Sequence, residues 1–386
     1  MRVVVKMRLG YDGQGARESS DPMTNKKPSA RKATIKQVAE GAGVSIATVS
    51  RAFADADAVS KELRDRVYKV ARALNYSPSR VARNLRVGTS QAVGVVIPDL
   101  QNPFFTGLVR GIENVLQAAG YTLLLANADE SAARERDVLA TFRAEGVAGI
   151  IFVPINSGKS TYQQLLAPPV HVVAVDRLPV ASRVDLVTVA NAEGTRAAVA
   201  HLLGLGHRTI ALLGGPSQHS TAVEREEGYR AALREADVAV RTDLIYRGDF
   251  REAGGYLGIK ALLGVRRPPT AVFVANNLMT LGALRALHEM RRRIPADVAL
   301  VGFDDMPWAT SLNPPLTAVA QPALEIGESA AQLFLDRVAR PDRPVRHVIL
   351  DTTLIVRASC GASRARSMSP SHPSGVTSTN AIAPRQ

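Results

Sequence analysis

Between residues 34 and 73, apolar positions recur three and four residues apart in three short runs, the spacing of amphipathic helices. In the first run Ile35, Val38 and Ala39 share one face and Thr34 can cap the start. Gly43 offers a turn, and Ser45 can cap a second helix whose Val49 and Phe53 point inward. Ser60 can cap a third, with Leu63, Val67 and Val70 as its apolar stripe. A fourth, very short helix is expected over 78–85, with Ser77 as cap and Pro78 at the first helical position, followed by a linker over 87–90. From Gln91 the pattern changes. Short aliphatic runs at 92–98, 121–127, 149–154, 170–176, 209–215, 271–276 and 298–304 alternate with amphipathic helices at 103–119, 131–145, 191–205, 222–236, 251–263, 278–290 and 323–338. Strands apolar on both faces, joined by helical crossovers, form parallel sheets in α/β folds. About 270 residues is too long for one such sheet and suits two.

The expected architecture is therefore an all-α helix-turn-helix head followed by an α/β core of two doubly wound parallel-sheet subdomains. The boundaries read as a disordered extension over 1–33, a head over 34–76, a hinge and linker over 77–90, a core over 91–358 and a disordered tail over 359–386. Residues 1–22 carry no cap, periodicity or core position and are expected to be dispensable, with Met23 as an alternative start. The tail has no leucine heptads, so a dimer is expected rather than a tetramer.

Charge sharpens this picture. The net +13 divides into +10 over residues 1–90, zero over 91–360 and +3 over 361–386. A basic head on a neutral body is the electrostatic footprint of a polyanion binder. No apolar run reaches the roughly 18 residues that span a bilayer, and the N-terminal stretch lacks the apolar core of a secretory signal, so the expected location is the cytoplasm, at the nucleoid. The single cysteine, Cys360, excludes an internal disulfide and cysteine-rich zinc sites, and no cofactor is expected. There is no P-loop, dinucleotide fingerprint, H-E-x-x-H or nucleophile elbow, so the chain is not expected to be an enzyme.

Two short helices joined through a glycine turn make a helix-turn-helix. At the start of the second helix, Ile46, Ala47, Ser50 and Arg51 face outward and could reach base edges, with Arg51 able to pair in bidentate fashion with guanine. The candidate DNA-binding set is Thr34, Ser45, Ile46, Ala47, Thr48, Ser50, Arg51, Asn75, Arg80, Arg83 and Leu85. Such a hairpin can also be an ordinary piece of helical core. The short fourth helix, marginal by itself, is what a switch between a DNA head and a ligand core requires.

The head segment TIKQVAEGAGVSIATVSRAF, the hinge SPSRVARNL, and the core motifs GVVIPDLQNPFF, GHRTIALLGGP, EREEGYRAAL, TAVFVANNLMTLGAL and VGFDD resemble those of the lactose-repressor (LacI/GalR) family, over about 34–358. The resemblance implies a ligand-responsive transcription regulator, usually a repressor. It implies a core like a periplasmic sugar-binding protein, with three chain crossings between its subdomains. It also implies a homodimer on a near-palindromic DNA operator. It assigns base contacts to Ile46, Ala47 and Arg51, and a minor-groove wedge to Leu85.

Ligands of doubly wound sheets bind beyond the carboxyl ends of the strands. Asp99, Asn102, Phe104, Phe105, Asp176, Arg177, Arg225, Phe250, Asn277, Asp304 and Asp305 fall there. Amide, guanidinium and carboxylate groups beside aromatic rings suit a polyhydroxylated ligand, although Asp99 and Asn102 could simply cap the next helix and Phe104 could be core. The resemblance assigns the ligand-holding arginine to Arg225 and contacts to Phe105 and Phe250. The candidate ligand set is Asn102, Phe104, Phe105, Arg177, Arg225, Phe250, Asn277 and Asp304. Asn277 stands where the family usually has aspartate. Without that charge to offset Arg225, a ligand bearing a carboxylate or phosphate, such as a sugar acid, is expected; if Asp99, Asp176 or Asp304 already pairs with Arg225, a neutral sugar is expected instead.

Overall fold

The computed structural model describes residues 33–54, 58–76, 90–155, 162, 170–179 and 184–362. Almost all of the expected extension and hinge, and the chain beyond 362, lie outside these residues. The chain divides into two units, Met1–Gly88 and Thr89–Gln386.

The first unit is built on three helices, α1 (Ile35–Ala42), α2 (Ile46–Ala54) and α3 (Lys61–Ala73). Each start follows its cap. Thr34 and Gln37 satisfy each other's backbone N–H groups as a capping box. The Ser45 Oγ accepts from the Thr48 N–H at 3.1 Å, and Ser60 accepts from the Leu63 N–H. Gly43 ends α1 at φ 62°, a left-handed turn that a side chain would strain. Val38, Ala39, Val49, Ala52 and Val67 form the core, with Phe53 packed edge-on against Tyr68.

The second unit contains two six-stranded sheets. The first lobe joins β1 (Ala92–Ile97), β2 (Thr122–Asn127), β3 (Gly149–Phe152), β4 (His171–Val175), β5 (Asp185–Val189) and β11 (His347–Leu350) in the order β11-β5-β4-β3-β1-β2, all parallel. The second lobe joins β6 (Ile210–Gly214), β7 (Ile245–Arg247), β8 (Ala271–Val274), β9 (Ala299–Phe303), β10 (Thr317–Ala320) and β12 (Thr353–Ile355) in the order β12-β10-β9-β8-β6-β7. Only β12 among these runs antiparallel, against β10. In both lobes the strand order reverses beside the first strand, which opens a crevice at the carboxyl ends.

Helices cover the sheets as the periodicity requires. They are α4 (Pro103–Ala118), α5 (Ala132–Ala144), α6 (Asn191–Gly204), α7 (Ser220–Glu235), α8 (Glu252–Leu263), α9 (Asn277–Glu289) and α10 (Ala323–Ala339). Alternate residues of β1 serve opposite faces: Val95 and Ile97 pack with Leu108 and Ile112 of α4, and Val96 packs with Leu139 and Phe142 of α5. Each such side chain taken fully out of water contributes about 1.5–3 kcal/mol. Neighbouring helices meet backbone to backbone. A Cβ on Gly111 of α4 would lie 2.1 Å from the Leu324 carbonyl of α10, and one on Gly282 of α9 would lie 1.9 Å from the Glu252 carbonyl of α8.

The chain crosses between lobes three times: after β5, between β10 and α10, and between β11 and β12. The crossings implied by the family resemblance are therefore present. The boundary expected at 358 is too early. Ser359 and Cys360 are buried. The Ser359 hydroxyl donates to the Leu300 carbonyl at 2.6 Å and accepts from the Thr317 N–H at 2.8 Å, which anchors this turn to β9 and β10. Its small polar residues read as tail because these bonds involve partners more than 40 positions away. No helix among the described residues is long and apolar enough to cross a membrane.

Candidate functional sites: a DNA-reading helix and an inter-lobe cleft

On the head, the start of α2 points its expected side chains outward. Ile46 is 48% exposed despite being apolar, Ala47 and Arg51 are exposed, and Thr48 and Ser50 are half-buried. Val49 and Ala52 fix the opposite side in the core. An apolar residue left in water on the same helix as an exposed arginine suits contact with base edges and thymine methyls. Thr34 and Ser45 are exposed caps, and Asn75 is exposed just beyond α3 at φ 50°. Arg80, Arg83 and Leu85 lie outside the described residues.

In the second unit, residues from both lobes meet at the carboxyl ends of their strands. The cleft leaves about 430 Å³ of unfilled space, mouth included. One wall is aromatic. Phe104 and Phe105 open α4 with their ring centroids 5.1 Å apart, and Phe250 faces them from the other lobe with its ring packed over Gly215. Asp99, Asn102, Glu130, Asp176, Arg177, Arg225, Arg251 and Asp304 supply the polar lining. Of these lining residues, Glu130, Asp176, Phe250 and Asp304 hold positive φ angles between 51° and 73°. Such angles are uncommon for residues other than glycine and cluster where function demands a particular side-chain direction.

Arg225 is 4% exposed. Its Nε donates to Asn191 Oδ1 at 2.8 Å, its Nη1 donates to the Ala275 carbonyl at 2.6 Å, and its guanidinium lies 3.8 Å from the centre of the Phe303 ring. Nη2 has no hydrogen-bond partner among the described residues, and no carboxylate reaches ion-pair distance. Burial pulls the Arg225 pKa down, against the attraction of Asp304 and Asp176. Burial also pushes the Asp176 carboxyl up to about 6 despite Arg177 and Arg225, and raises Asp304. Arg177 and Glu130 form a two-pronged pair at 2.7 and 2.9 Å; burial would raise the Glu130 carboxyl, but this pairing outweighs it and holds the group below the usual range. His219 lies 3.7 Å from Glu130, and burial and Arg177 push its pKa down to about 4.

The expected residues Asn102, Phe104, Phe105, Arg177, Arg225, Phe250 and Asp304 all line the cleft. Asn277 does not. It is 1% exposed and bonds Asn102 instead, while the neighbouring Asn276 faces the cleft. Asp305 turns away to pair with Arg357 at 2.6 Å. Glu130, Thr221, Arg251, Leu278 and Gln321 also line the cleft, unforeseen. Glu130 follows the end of β2 much as Asp99 follows β1, so the carboxyl-end rule could have found it. Among the described residues, no cluster of three or more His, Cys, Asp or Glu is placed to hold a metal ion.

Residues 34–79 match the bacterial regulatory proteins of the lacI family, and residues 199–360 match the periplasmic binding protein-like domain. The ribose operon repressor of Halalkalibacterium halodurans is 36% identical over 84% of this chain and 96% of its own length. Among solved structures, a complex of the transcriptional regulator CelR with cellobiose is 32% identical, with a TM-score of 0.66 over 85% of this chain and 99% of that one. The Lac repressor dimer bound to operator and an anti-inducer is 28% identical, with a TM-score of 0.75 over 86% of this chain and 99% of that one.

Proposed function

Because the chain belongs to the lacI family of bacterial regulatory proteins and is a ligand-responsive DNA-binding repressor, we propose that its effector is a neutral, polyhydroxylated sugar. The charge balance of the cleft carries this reading. Its lining holds four carboxylates, Asp99, Glu130, Asp176 and Asp304, against three guanidiniums, Arg177, Arg225 and Arg251. Glu130 and Arg177 satisfy each other, and Arg251 is held by Asp129 at 3.0 Å. Arg225 is left facing Asp99, Asp176 and Asp304, which leaves an excess of acceptors for hydroxyl groups. Asp304 and Asp176 do not pair with Arg225 but attract it at longer range, offsetting part of its charge, so an anionic ligand would also meet these carboxylates. The aromatic wall would stack against the apolar face of a sugar ring. The sugar-related names of the ribose operon repressor and the cellobiose complex agree with this class.

The protein is further proposed to act in the cytoplasm as a homodimer, each α2 reading one half-site of a pseudo-palindromic operator. The test is a thermal-shift and calorimetry panel of D-ribose, D-glucose, cellobiose, D-gluconate, glucose 6-phosphate and hypoxanthine. Neutral sugars should stabilise the protein, and Arg225→Ala should abolish the effect. Stabilisation by gluconate or the phosphate alone would overturn the reading.

A further inference from the structure

Three contacts fix the plane of the Arg225 guanidinium. Nε donates to Asn191 Oδ1 at 2.8 Å, Nη1 donates to the Ala275 carbonyl at 2.6 Å, and the Phe303 ring lies against one face. Because the N–H donors of an arginine share one rigid plane, these contacts also set the direction of the Nη2 edge. The Asn191 contact is itself anchored. Asn191 is the first residue of α6, directly after the first crossover, and is 1% exposed. Its Nδ2 donates to Glu224 Oε2 at 2.8 Å and, less closely, to the carbonyl of Val189, the last residue of β5, at 3.4 Å. A carboxylate and a carbonyl only accept, so the amide NH₂ turns towards them and the amide oxygen turns towards Arg225. Two of these bonds, to Glu224 and from Arg225, have one charged partner, which makes them stronger than bonds between neutral groups. The start of α6 carries no side-chain cap, so the Asn191 amide is not spent on beginning that helix.

We propose that Asn191 is a positioning residue for effector binding: held by Glu224, it orients the Arg225 guanidinium and so the direction in which Nη2 meets the ligand. Glu224 and Arg225 are neighbours in α7, and their side chains are joined through this one amide. Asparagine suits the position because it offers a donor to Glu224 and an acceptor to Arg225 at once. Alanine breaks both links. Aspartate keeps an acceptor for Arg225 but sets its other oxygen against the Glu224 carboxylate. Glutamine at 224 can offer its own NH₂ to that oxygen and restores the match. The contact with Val189 also refers the arginine of the second lobe to the last strand residue before the crossover, in the first lobe. This inference rests on the cleft being the effector site and on Arg225 holding the effector.

The experiment uses the full chain and begins without any sugar. In isotope-labelled protein, the Arg225 Nε–H signal is identified by NMR as the one lost in Arg225→Lys, and its exchange with water is measured. In Asn191→Ala that exchange should be about tenfold faster than in wild type, the effect of losing one buried hydrogen bond to a charged group. Glu224→Ala, which frees the amide to turn, should change it in the same direction. Calorimetry with D-ribose then reads the consequence. Asn191→Ala and Asn191→Asp should each weaken ribose binding about tenfold. Combining Asn191→Asp with Glu224→Gln should recover most of the loss, a coupling that independent sites do not show. A side chain that only supported the start of α6 would lower the melting temperature in both Asn191 variants and would not be rescued from position 224. An exchange rate in folded Asn191→Ala equal to that of wild type would overturn the positioning. A rate unchanged in Glu224→Ala, or an Asn191→Asp loss that Glu224→Gln leaves in place, would overturn the part given to Glu224. No response of wild type to D-ribose would count against the sugar reading, and the exchange comparison would still decide whether Asn191 and Glu224 hold Arg225.

Discussion

Replacing Asp176 by asparagine should stabilise the protein, but only above a defined pH. The Asp176 side chain is buried at the end of β4 and makes no hydrogen bond of its own among the described residues; its nearest cation is Arg177 Nε at 3.7 Å. Burial raises its carboxyl from 3.8 to about 6, with Arg177 and Arg225 opposing and Asp304 and Glu130 reinforcing the rise. The folded state therefore holds this proton more tightly than the unfolded chain. Between pH 4 and 6 folding takes up a proton, so the contribution of this group to stability is greatest below about pH 4 and is lost as pH rises through 6. A shift of about two units corresponds to roughly 3 kcal/mol above pH 6. Asparagine removes the ionisation without changing the shape, and it is among the residues that best tolerate the left-handed backbone, here φ 66°. For a core of this size the expected gain is about 5–10 °C in Tm at pH 7.5, shrinking towards zero near pH 4. Urea unfolding and thermal scans of both proteins at equal concentration across pH 4–8 measure it, concentration being fixed because any self-association would shift apparent stability. A gain that is the same at pH 4.5 and 7.5, or a loss at pH 7.5, would refute the assignment of the penalty to a buried charge.

Other substitutions test separate parts of the molecule. Arg51→Ala should cost about 1–3 kcal/mol in operator binding and narrow the preference over random DNA; fluorescence anisotropy showing the wild-type ratio would mean that α2 is not the reading helix. Asp185 is buried and gripped by Arg337 and Arg343 through two hydrogen bonds each and by the Arg346 N–H. Asp185→Asn should therefore cost about 3–5 kcal/mol in urea unfolding, because two largely buried guanidiniums lose their counter-charge; a loss under about 1 kcal/mol rejects that account. Gly282→Ala should destabilise by about 1–3 kcal/mol through overlap with the Glu252 carbonyl, whereas Gly204→Ala, with open space around its Cβ, should stabilise by about 0.5–1 kcal/mol. Equal effects at the two glycines would show that helix propensity, not packing, decides.

The sequence revealed most where local chemistry acts alone. Thr34, Ser45, Ser60, Asn102 and Ser131 each announce a helix that starts on the next residue, because a cap and its orphan N–H are neighbours in the chain. Seven of the aliphatic strands, β1 to β4, β6, β8 and β9, were equally plain. β5, β10, β11 and β12 did not stand out: each is only three to five residues long, and β11 and β12 sit at sheet edges with no fully buried residue. In the cleft, charged and aromatic residues after apolar strands were legible. Asn277 misled because it adjoins Asn276 at the end of β8, and helix phase sends one side chain to the cleft and the next towards Asn102. Gln321 was hidden because β10, the strand it follows, was itself unrecognised. Which carboxylates surround Arg225 depends on loops 50 to 80 residues apart, and spacing alone does not determine that arrangement.

The three crossings have a consequence for synthesis on the ribosome. The first lobe has five of its six strands by residue 189, yet its edge strand β11 and its covering helix α10 are made only after the other lobe's first five strands. Until then the face that α10 will cover, including Val173 and Val175, is open and invites association with other nascent chains. The first lobe's sheet is complete only at residue 350 and the second lobe's only at residue 355. A nonsense mutation or proteolytic cut upstream of 347 therefore removes a strand from each sheet together. Such products should be degraded or aggregate rather than persist as a functional half, whereas the head, which shares no strand with either sheet, is not affected in this way.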